Sequence, residues 1–393
     1  MSAANPPADP ADLLDLEHLL TDEERAIRDV AREWVRRRIL PEVEEWYEQG
    51  VFPARELGPE LGGMGFLGMQ LEGEHFLGLN SVAYGLVELE LEAGDSGLRS
   101  FVSVQSALSM YAIYAFGSDE QKAEWLPRMA AGEAIGCFGL SEPDSGSDPG
   151  SMRTVAKRDG DDWVLSGTKM WITNGGVSDV AIVWANTDEG IRGFVVPTAS
   201  PGFSAPDIHK KMSLRASVTS ELVMDGVRLP ADAILPGVQG LKGPLSCLNE
   251  ARYGIVWGVM GAARACFETA LEYSKTREQF GKPIGTFQLT QKKLADMALE
   301  LNKGTLLALH LGRMKDEGRL QPEHVSFGKL NNTREALKIT RTCRGILGAN
   351  GITLEYPIMR HMTNLESVIT YEGTEEIHTL VIGGLLTGLR AFS

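Results

Sequence analysis

The sequence predicts an α+β chain in three segments: helices, then strands, then helices. Three observations predict it. The first third carries helix-capping signals followed by apolar residues at helical spacing. The middle breaks into short, β-branched runs between turn residues. The last third returns to long helical patterns. The expected segments are 1–134, helical; 135–240, an antiparallel β-domain; and 241–393, a helical bundle. No βαβ alternation, internal repeat or low-complexity tract is visible.

Taken in order, residues 1–10 (MSAANPPADP) read as a loose arm. Thr21 and Glu24 have capping-box spacing. Ile27, Val30, Ala31, Trp34 and Val35 then fall on one predicted helical face. Arg36, Arg37 and Arg38 suit the helix's C-terminal dipole, and Pro41 blocks continuation. Ser118 and Gln121 form a second capping box. Predicted strands cover 163–165, 170–173, 180–185, 193–197 and 221–229. Asp159-Gly160 and Asp225-Gly226 read as turns between strands. Beyond Gly240 the helical patterns are separated by short loops at 281–285, 318–322 and 348–357.

The formal net charge of −15 disfavours phosphate backbones, so nucleic acid is not an expected partner. Cys137, Cys247, Cys266 and Cys343 are far apart and form no CxxC, which points to reduced thiols in the cytoplasm. The histidines are dispersed with no HExxH, so no metal site is expected. There is no basic n-region with an apolar stretch behind it, and no apolar run spans a bilayer. No membrane association is expected. Gly63-Met64-Gly65-Phe66-Leu67-Gly68 matches GxGxxG by letter. It follows a helix-like stretch, not a strand, so it reads as a glycine-rich turn.

Three blocks carry candidate chemistry. The stretch from Phe138 to Asp148 (FGLSEPDSGSD) offers backbone N–H groups and small hydroxyls in a tight loop, suited to a polar ring edge or a phosphate; an ordinary turn has the same composition. In Lys169-Met170-Trp171-Ile172-Thr173-Asn174, strand alternation puts Trp171 and Thr173 on one face. An indole beside a hydroxyl suits a planar, hydrogen-bonding cofactor, or else Trp171 is a core residue. Thr370-Tyr371-Glu372-Gly373-Thr374 sets a carboxylate just before a helix expected to begin near Thr374. Gly373 leaves room for a ligand near the backbone.

With Asp95-Ser96-Gly97-Leu98-Arg99-Ser100, Ser103-Val104-Gln105-Ser106, and the stretches 212–219, 249–257, 277–281 and 347–352, these blocks occur in a fixed order. Together the chain resembles the acyl-CoA dehydrogenases, and within them the glutaryl-CoA dehydrogenase subgroup, from about Leu20 to Phe392. The resemblance implies an N-terminal helical domain, a middle β-domain and a C-terminal four-helix bundle. It also implies FAD. Phe138, Leu140 and Ser141 would meet the flavin edge; the family usually has Thr where Ser141 stands. Trp171, Ile172 and Thr173 would flank the ring, and Ser147 would lie near phosphates or acyl-CoA. Arg277, Phe280, Gln288 and Gly345, Ile346, Leu347, Gly348 and Ala349 would hold the ADP half, with Thr374 and Glu376 also touching FAD. Many relatives have Gln in place of Gly345.

By the same resemblance Leu245, Asn249 and Arg252 lie on a CoA-contacting helix, and Gly373 beside the substrate. Glu372 matches the base, a role that desolvation favours. Its backbone N–H would help stabilise the thioester oxygen. Arg99, with Ser100 and with Ser103 one turn on, would grip a distal carboxylate; without the resemblance Arg99 reads as a helix-end residue in a surface ion pair. Glu92 and Tyr371 match residues that accompany decarboxylation, which implies crotonyl-CoA and carbon dioxide as products. Electron-transfer flavoprotein and a homotetramer are implied in the same way. The competing expectations are a glutaryl-CoA dehydrogenase without decarboxylation, a short- or branched-chain acyl-CoA dehydrogenase, an oxidase, and a catalytically silent flavin-binding scaffold.

Overall fold

The computed structural model describes residues 9–389 and 391. Residues 1–8 of the predicted arm, and Phe392 at the end of the family resemblance, lie outside the described residues. In chain order the helices are α1 (Asp22–Trp34), α2 (Val43–Gln49), α3 (Ala54–Gly63), α4 (Ser81–Gly94), α5 (Ser96–Ser103), α6 (Tyr111–Phe116), α7 (Asp119–Ala130), α8 (Lys242–Thr276), α9 (Gln288–Asp316), α10 (Pro322–Leu347), α11 (Pro357–Val368) and α12 (Glu375–Thr387). The strands are β1 (Gly136–Gly139), β2 (Val155–Asp159), β3 (Asp162–Thr173), β4 (Val180–Thr187), β5 (Gly190–Pro197), β6 (Phe203–Ser204), β7 (Thr219–Leu229), β8 (Glu278–Gln279) and β9 (Lys282–Pro283). The chain divides into two compact units. One comprises Met1–Glu48, Asn80–Ser96 and Tyr253–Ser393; the other, Gln49–Leu79 and Gly97–Arg252.

In the first unit α1 opens on the predicted capping box. Glu24 N–H donates to Thr21 Oγ1 at 3.2 Å, and Thr21 N–H donates to Glu24 Oε2 at 2.9 Å. The face it buries differs from the predicted one. Val30 is 49% exposed, whereas Glu24, Arg28, Ala31 and Val35 are buried. Charged residues can occupy that face because each is paired: Glu24 accepts from Arg313 Nη2 at 2.7 Å, and Arg28 Nη2 donates to Glu17 at 3.1 Å. The helical path runs on past Trp34 as a π-helical turn, Val35–Ile39, and carries Arg36, Arg37 and Arg38 in its last turn, as predicted.

Helix α4 is buried along nearly its whole length, including Glu88, Glu90 and Glu92. It packs closely on α8 because glycines remove side chains from the contact. A Cβ at Gly85 would lie 2.3 Å from the Trp257 ring, and one at Gly261 would lie 1.9 Å from Leu89 O. In the C-terminal helical region α10 packs against α9, α11 and α12 and is bonded to α8. Asn332 of α10 donates to Val256 O of α8 at 2.8 Å and to Gly304 O of α9 at 3.0 Å.

In the second unit one seven-stranded sheet has the order β1-β4-β2-β3-β7-β6, with β5 on β4. Its core holds Trp163, Leu165, Ile172, Val183, Phe194, Leu222 and their neighbours. The predicted runs 163–165 and 170–173 are one strand, β3. The sheet is antiparallel except at β4, which pairs β1 in parallel from Gly136↔Val180 to Gly139↔Val183 and meets β2 in parallel at Val155↔Asn186. A hairpin would impose antiparallel pairing, but β1 leaves into a loop and no hairpin constrains it. Asp159-Gly160 makes the expected turn between β2 and β3. Asp225-Gly226 does not turn the chain. It lies inside β7, where the register with β3 shifts and Gly226 has φ +63°, as in a β-bulge. The GxGxxG letters form a turn after α3, with Gly65 and Gly68 both at φ +74°.

Glu90 supplies a test of how buried charge is held in the first unit. Burial pushes its carboxyl up, yet Arg264 and Arg32 overcome that and hold it down at about 2, against an ordinary 4.5. A carboxyl lowered on folding contributes stability above its unfolded value, and that stability is lost as pH falls through the folded one. At 1.36 kcal/mol per pH unit the contribution is on the order of 3 kcal/mol. Glu90→Gln should therefore unfold more easily than wild type at pH 7, with the difference shrinking between pH 4.5 and 2. Urea unfolding across that range checks it, and a difference independent of pH would count against the ion pair.

Candidate active site

The loop that carries the candidate base, Glu372, lies between α11 and α12. Tyr371 N–H donates to Ser367 O at 2.9 Å, ending α11. Thr374 Oγ1 accepts from Ile377 N–H at 3.3 Å and caps α12, which begins where the sequence predicted. Between them Glu372 has φ +54° and Gly373 φ +98°. Glu372 thus adopts a left-handed backbone, which costs a non-glycine residue about 1–3 kcal/mol and persists only where its surroundings impose it. Lys329 of α10, 1% exposed, donates from Nζ to Tyr371 O at 2.9 Å and to Gly373 O at 2.8 Å. A Cβ at Gly373 would lie 2.8 Å from the His378 ring, so glycine is required there on both counts. Glu376 is exposed on the first turn of α12.

Glu92 belongs to the same unit. It is fully buried on α4 and accepts from Ser96 Oγ at 2.9 Å. Its carboxylate fits against α8 only because residue 258 is glycine; a Cβ there would lie 2.2 Å from Glu92 Oε2. Phe280, φ +54°, and Gly281 form the two-residue tip joining β8 and β9, and Phe280 is 94% exposed. Arg277 and Gln288 are exposed on either side of that hairpin. Gly345, Gly348 and Ala349 are exposed near the end of α10. Ile346 and Leu347 instead bury their side chains, leaving only their peptides for a ligand.

In the second unit Arg99, Ser100 and Ser103 are buried on α5. Arg99 is wholly inaccessible, which excludes a surface ion pair. The Ser103 hydroxyl, one turn on, is buried and has no hydrogen-bond partner among the described residues. On α8, Leu245, Asn249 and Arg252 recur at helical spacing, and Arg252 Nη1 donates to Asn249 Oδ1 at 3.1 Å.

The loop after β1 is held by a buried ion pair. Glu142 accepts from Arg153 N–H at 2.6 Å, Thr154 N–H at 2.9 Å and Lys169 Nζ at 2.8 Å, and Lys169 also donates to Leu140 O at 3.1 Å. Burial pushes the Glu142 carboxyl up, but the donors from Lys169, Thr154 and Arg153 bring it down to about 2. Burial lowers the Lys169 ammonium to about 8 against the pull of Glu142. Ser141 O accepts from Met170 N–H at 2.9 Å, which ties this loop to β3. Phe138 and Leu140 are buried, and Ser147 is exposed.

On β3 a bulge falls at the residues of interest, and Trp171 and Thr173 lie on the face opposite buried Ile172, as predicted. The register with β7 shifts between Lys169 and Ile172, and Trp171 has φ +64°. This bulge leaves the Trp171 indole 61% exposed, so it is not a core residue. Ile172 turns into the sheet core, and Thr173 is half-buried. A large exposed indole beside a loop of small hydroxyls fits a planar, hydrogen-bonding group such as a flavin.

Models of the acyl-CoA dehydrogenase N-terminal, middle and C-terminal domains match residues 21–133, 137–227 and 238–386. The mitochondrial short-chain specific acyl-CoA dehydrogenase of Bos taurus is 35% identical over 93% of this chain and 90% of its own length. The chain belongs to the acyl-CoA dehydrogenase family. It is similar to a crystal structure of glutaryl-CoA dehydrogenase from Mycobacterium smegmatis, with 67% identity, 98% and 99% of the two chains covered and a TM-score of 0.97. A glutaryl-CoA dehydrogenase of the same organism, in complex with FADH2, is 61% identical over 98% and 99% of the two chains, with a TM-score of 0.96. As a member of the family the chain is an enzyme.

Sequence reasoning gave no role to Lys329, Lys169 or Gly258. A signal for Lys329 exists: it shares helical spacing with Val325, Asn332 and Ala336, all buried, so a lysine falls on a core face. Gly258 and Gly261 carry no signal until α4 is known to lie against them.

Lys169→Met would leave the Glu142 charge buried with two amide donors only. Breaking a buried pair from one side costs about 3–5 kcal/mol. Urea unfolding at pH 7 should show a loss of that size, and a loss under about 1 kcal/mol, the worth of an exposed pair, would show that the pair does not hold the loop.

Proposed function

We propose that this enzyme is an FAD-dependent glutaryl-CoA dehydrogenase that converts glutaryl-CoA to crotonyl-CoA and carbon dioxide. The burial of Arg99 beside the unpartnered Ser103 hydroxyl carries the choice of substrate. A buried cation one helical turn from a hydroxyl with no hydrogen-bond partner among the described residues suits a distal carboxylate, whereas an unbranched fatty acyl chain would leave that hydroxyl unpartnered. The similarity to two mycobacterial glutaryl-CoA dehydrogenases supports it.

FAD, when bound, supplies the hydride acceptor. Trp171, Thr173, Ser141 and the loop peptides would orient its ring, and Arg277, Phe280 and Gln288 its ADP half. Glu372 removes the proton from the carbon next to the thioester carbonyl, while its backbone N–H donates to the thioester oxygen. Arg99 and Ser103 hold the distal carboxylate. That carboxylate then leaves as carbon dioxide: its C–C bond breaks and the electron pair delocalises into the unsaturated thioester. Protonated Glu372 returns its proton to the γ-carbon that carried the carboxylate, giving crotonyl-CoA. Glu92 and Tyr371 order the hydrogen bonds around this step. The same reading has Arg252, Asn249 and Leu245 contact CoA, electrons pass to electron-transfer flavoprotein, and a cytoplasmic homotetramer as the working form. The exposed Phe280, Leu289 and Leu386 support an assembly. Among the described residues no helix is long and apolar enough to cross a membrane.

Short-chain acyl-CoA dehydrogenation is the competing reading, favoured by the bovine relative. Two variants and one product analysis separate them. Glu372→Gln should retain FAD and acyl-CoA binding but reduce the flavin roughly 10²–10⁴-fold more slowly in an anaerobic titration; near-normal bleaching would assign the base elsewhere. Arg99→Gln should lose about 2–5 kcal/mol of transition-state binding on glutaryl-CoA and little on butyryl-CoA. Equal losses on both would make Arg99 structural. Mass spectrometry of the CoA esters should find crotonyl-CoA and trapped carbon dioxide in about equal amounts, whereas glutaconyl-CoA as the main product would remove the decarboxylation and leave the dehydrogenase.

A further inference from the structure

We propose that Lys329 is a positioning residue for the catalytic base: its ammonium clamps the two peptide carbonyls that flank Glu372 and fixes the loop from which the carboxylate acts. This rests on the reading of Glu372 as the base.

The carbonyls of Tyr371 and Gly373 both accept from one Nζ, at 2.9 and 2.8 Å. They are two residues apart, and residues at that spacing converge on one donor only if the chain bends between them. The bend is present: Glu372 has φ +54° and Gly373 φ +98°. The residue whose backbone is least at ease is therefore the one held from both sides. Charge-assisted bonds from an ammonium are stronger than neutral ones and suit such a task. A lysine in a helix ordinarily extends to solvent, whereas this one is 1% exposed and directs its charge at peptide oxygens.

The clamp has a fixed base. Asn332, nearly one turn along α10, donates to Val256 O of α8 at 2.8 Å and to Gly304 O of α9 at 3.0 Å, so three helices share one frame. A second tie from α10 holds the far end of the loop: Arg334 Nε donates to Glu375 Oε1 at 2.7 Å. Thr374 caps α12 beside it. Lys329 differs from these ties in acting directly on the peptide groups before and after Glu372. A proton transfer is sensitive to placement, and a shift of about 1 Å can cost 10²-fold in rate.

The test uses the FAD-loaded enzyme. Lys329→Met keeps the length and removes the donors. It should retain FAD and bind glutaryl-CoA within about threefold of wild type, while flavin reduction slows by roughly 10–100-fold. Lys329→Arg, which restores N–H donors, should recover part of that loss. In the Glu372→Gln background, Lys329→Met should change the residual rate by less than about threefold, because the base it positions is gone. A reduction rate for Lys329→Met within threefold of wild type overturns the proposal. So does an equal loss in the Glu372→Gln background, which marks a general structural role. If neither Lys329 variant assembles with FAD, Lys329 is a folding residue and the positioning role is refuted. Failure of the parent reading looks different: the wild-type flavin is then not bleached by glutaryl-CoA or butyryl-CoA, or Glu372→Gln bleaches normally, and the proposal falls with it.

Discussion

A charge taken out of water must meet an opposite charge or a set of hydrogen bonds, and this chain buries paired charge in both of its units. Glu90 lies between Arg264 and Arg32. Asp95, at the end of α4, accepts from Arg360 at 2.5 Å and Asn364 at 2.9 Å, both on α11. Glu142 and Lys169 pair beneath the loop after β1. Lys329 spends its charge on backbone carbonyls. Each interaction joins elements distant in sequence and is intolerant of displacement, because one partner alone is worse than neither.

In the first unit that constraint extends to the two carboxylates proposed for the chemistry. Helix α8 touches Glu92 through the space left by Gly258 and receives Asn332 of α10 at Val256 O, two residues earlier. Helix α10 in turn grips the Glu372 loop. The carboxylates proposed to order a decarboxylation and to remove the proton are thus referred to one stretch of one helix. In the second unit the equivalent frame is the sheet. Its bulge at Trp171 turns an indole outward, and its buried ion pair holds the neighbouring loop.

Much of this was legible beforehand. Both capping boxes formed, since a Thr or Ser three residues before Glu or Gln needs only local geometry. The strand runs survived because β-branched runs between turn residues are also local. The failures share a cause. Asp225-Gly226 became a bulge because β3 was already paired on both sides of it. Val30 lost its place in the core to Glu24 and Arg28, whose partners Arg313 and Glu17 the helical period could not supply.

By itself the sequence determined the three-segment α+β order, the caps and most strands, and, through the family motifs, the residues expected to carry the chemistry. Those depend on neighbours within a few positions or on side-chain identity. Only the tertiary structure decided that Arg99 is buried, that Glu92 needs a glycine opposite, that Trp171 faces outward and that Lys329 holds the Glu372 loop. Each of these depends on what lies across a packed interface. Burial and pairing of charge are properties of two elements at once, and no single stretch of chain records them.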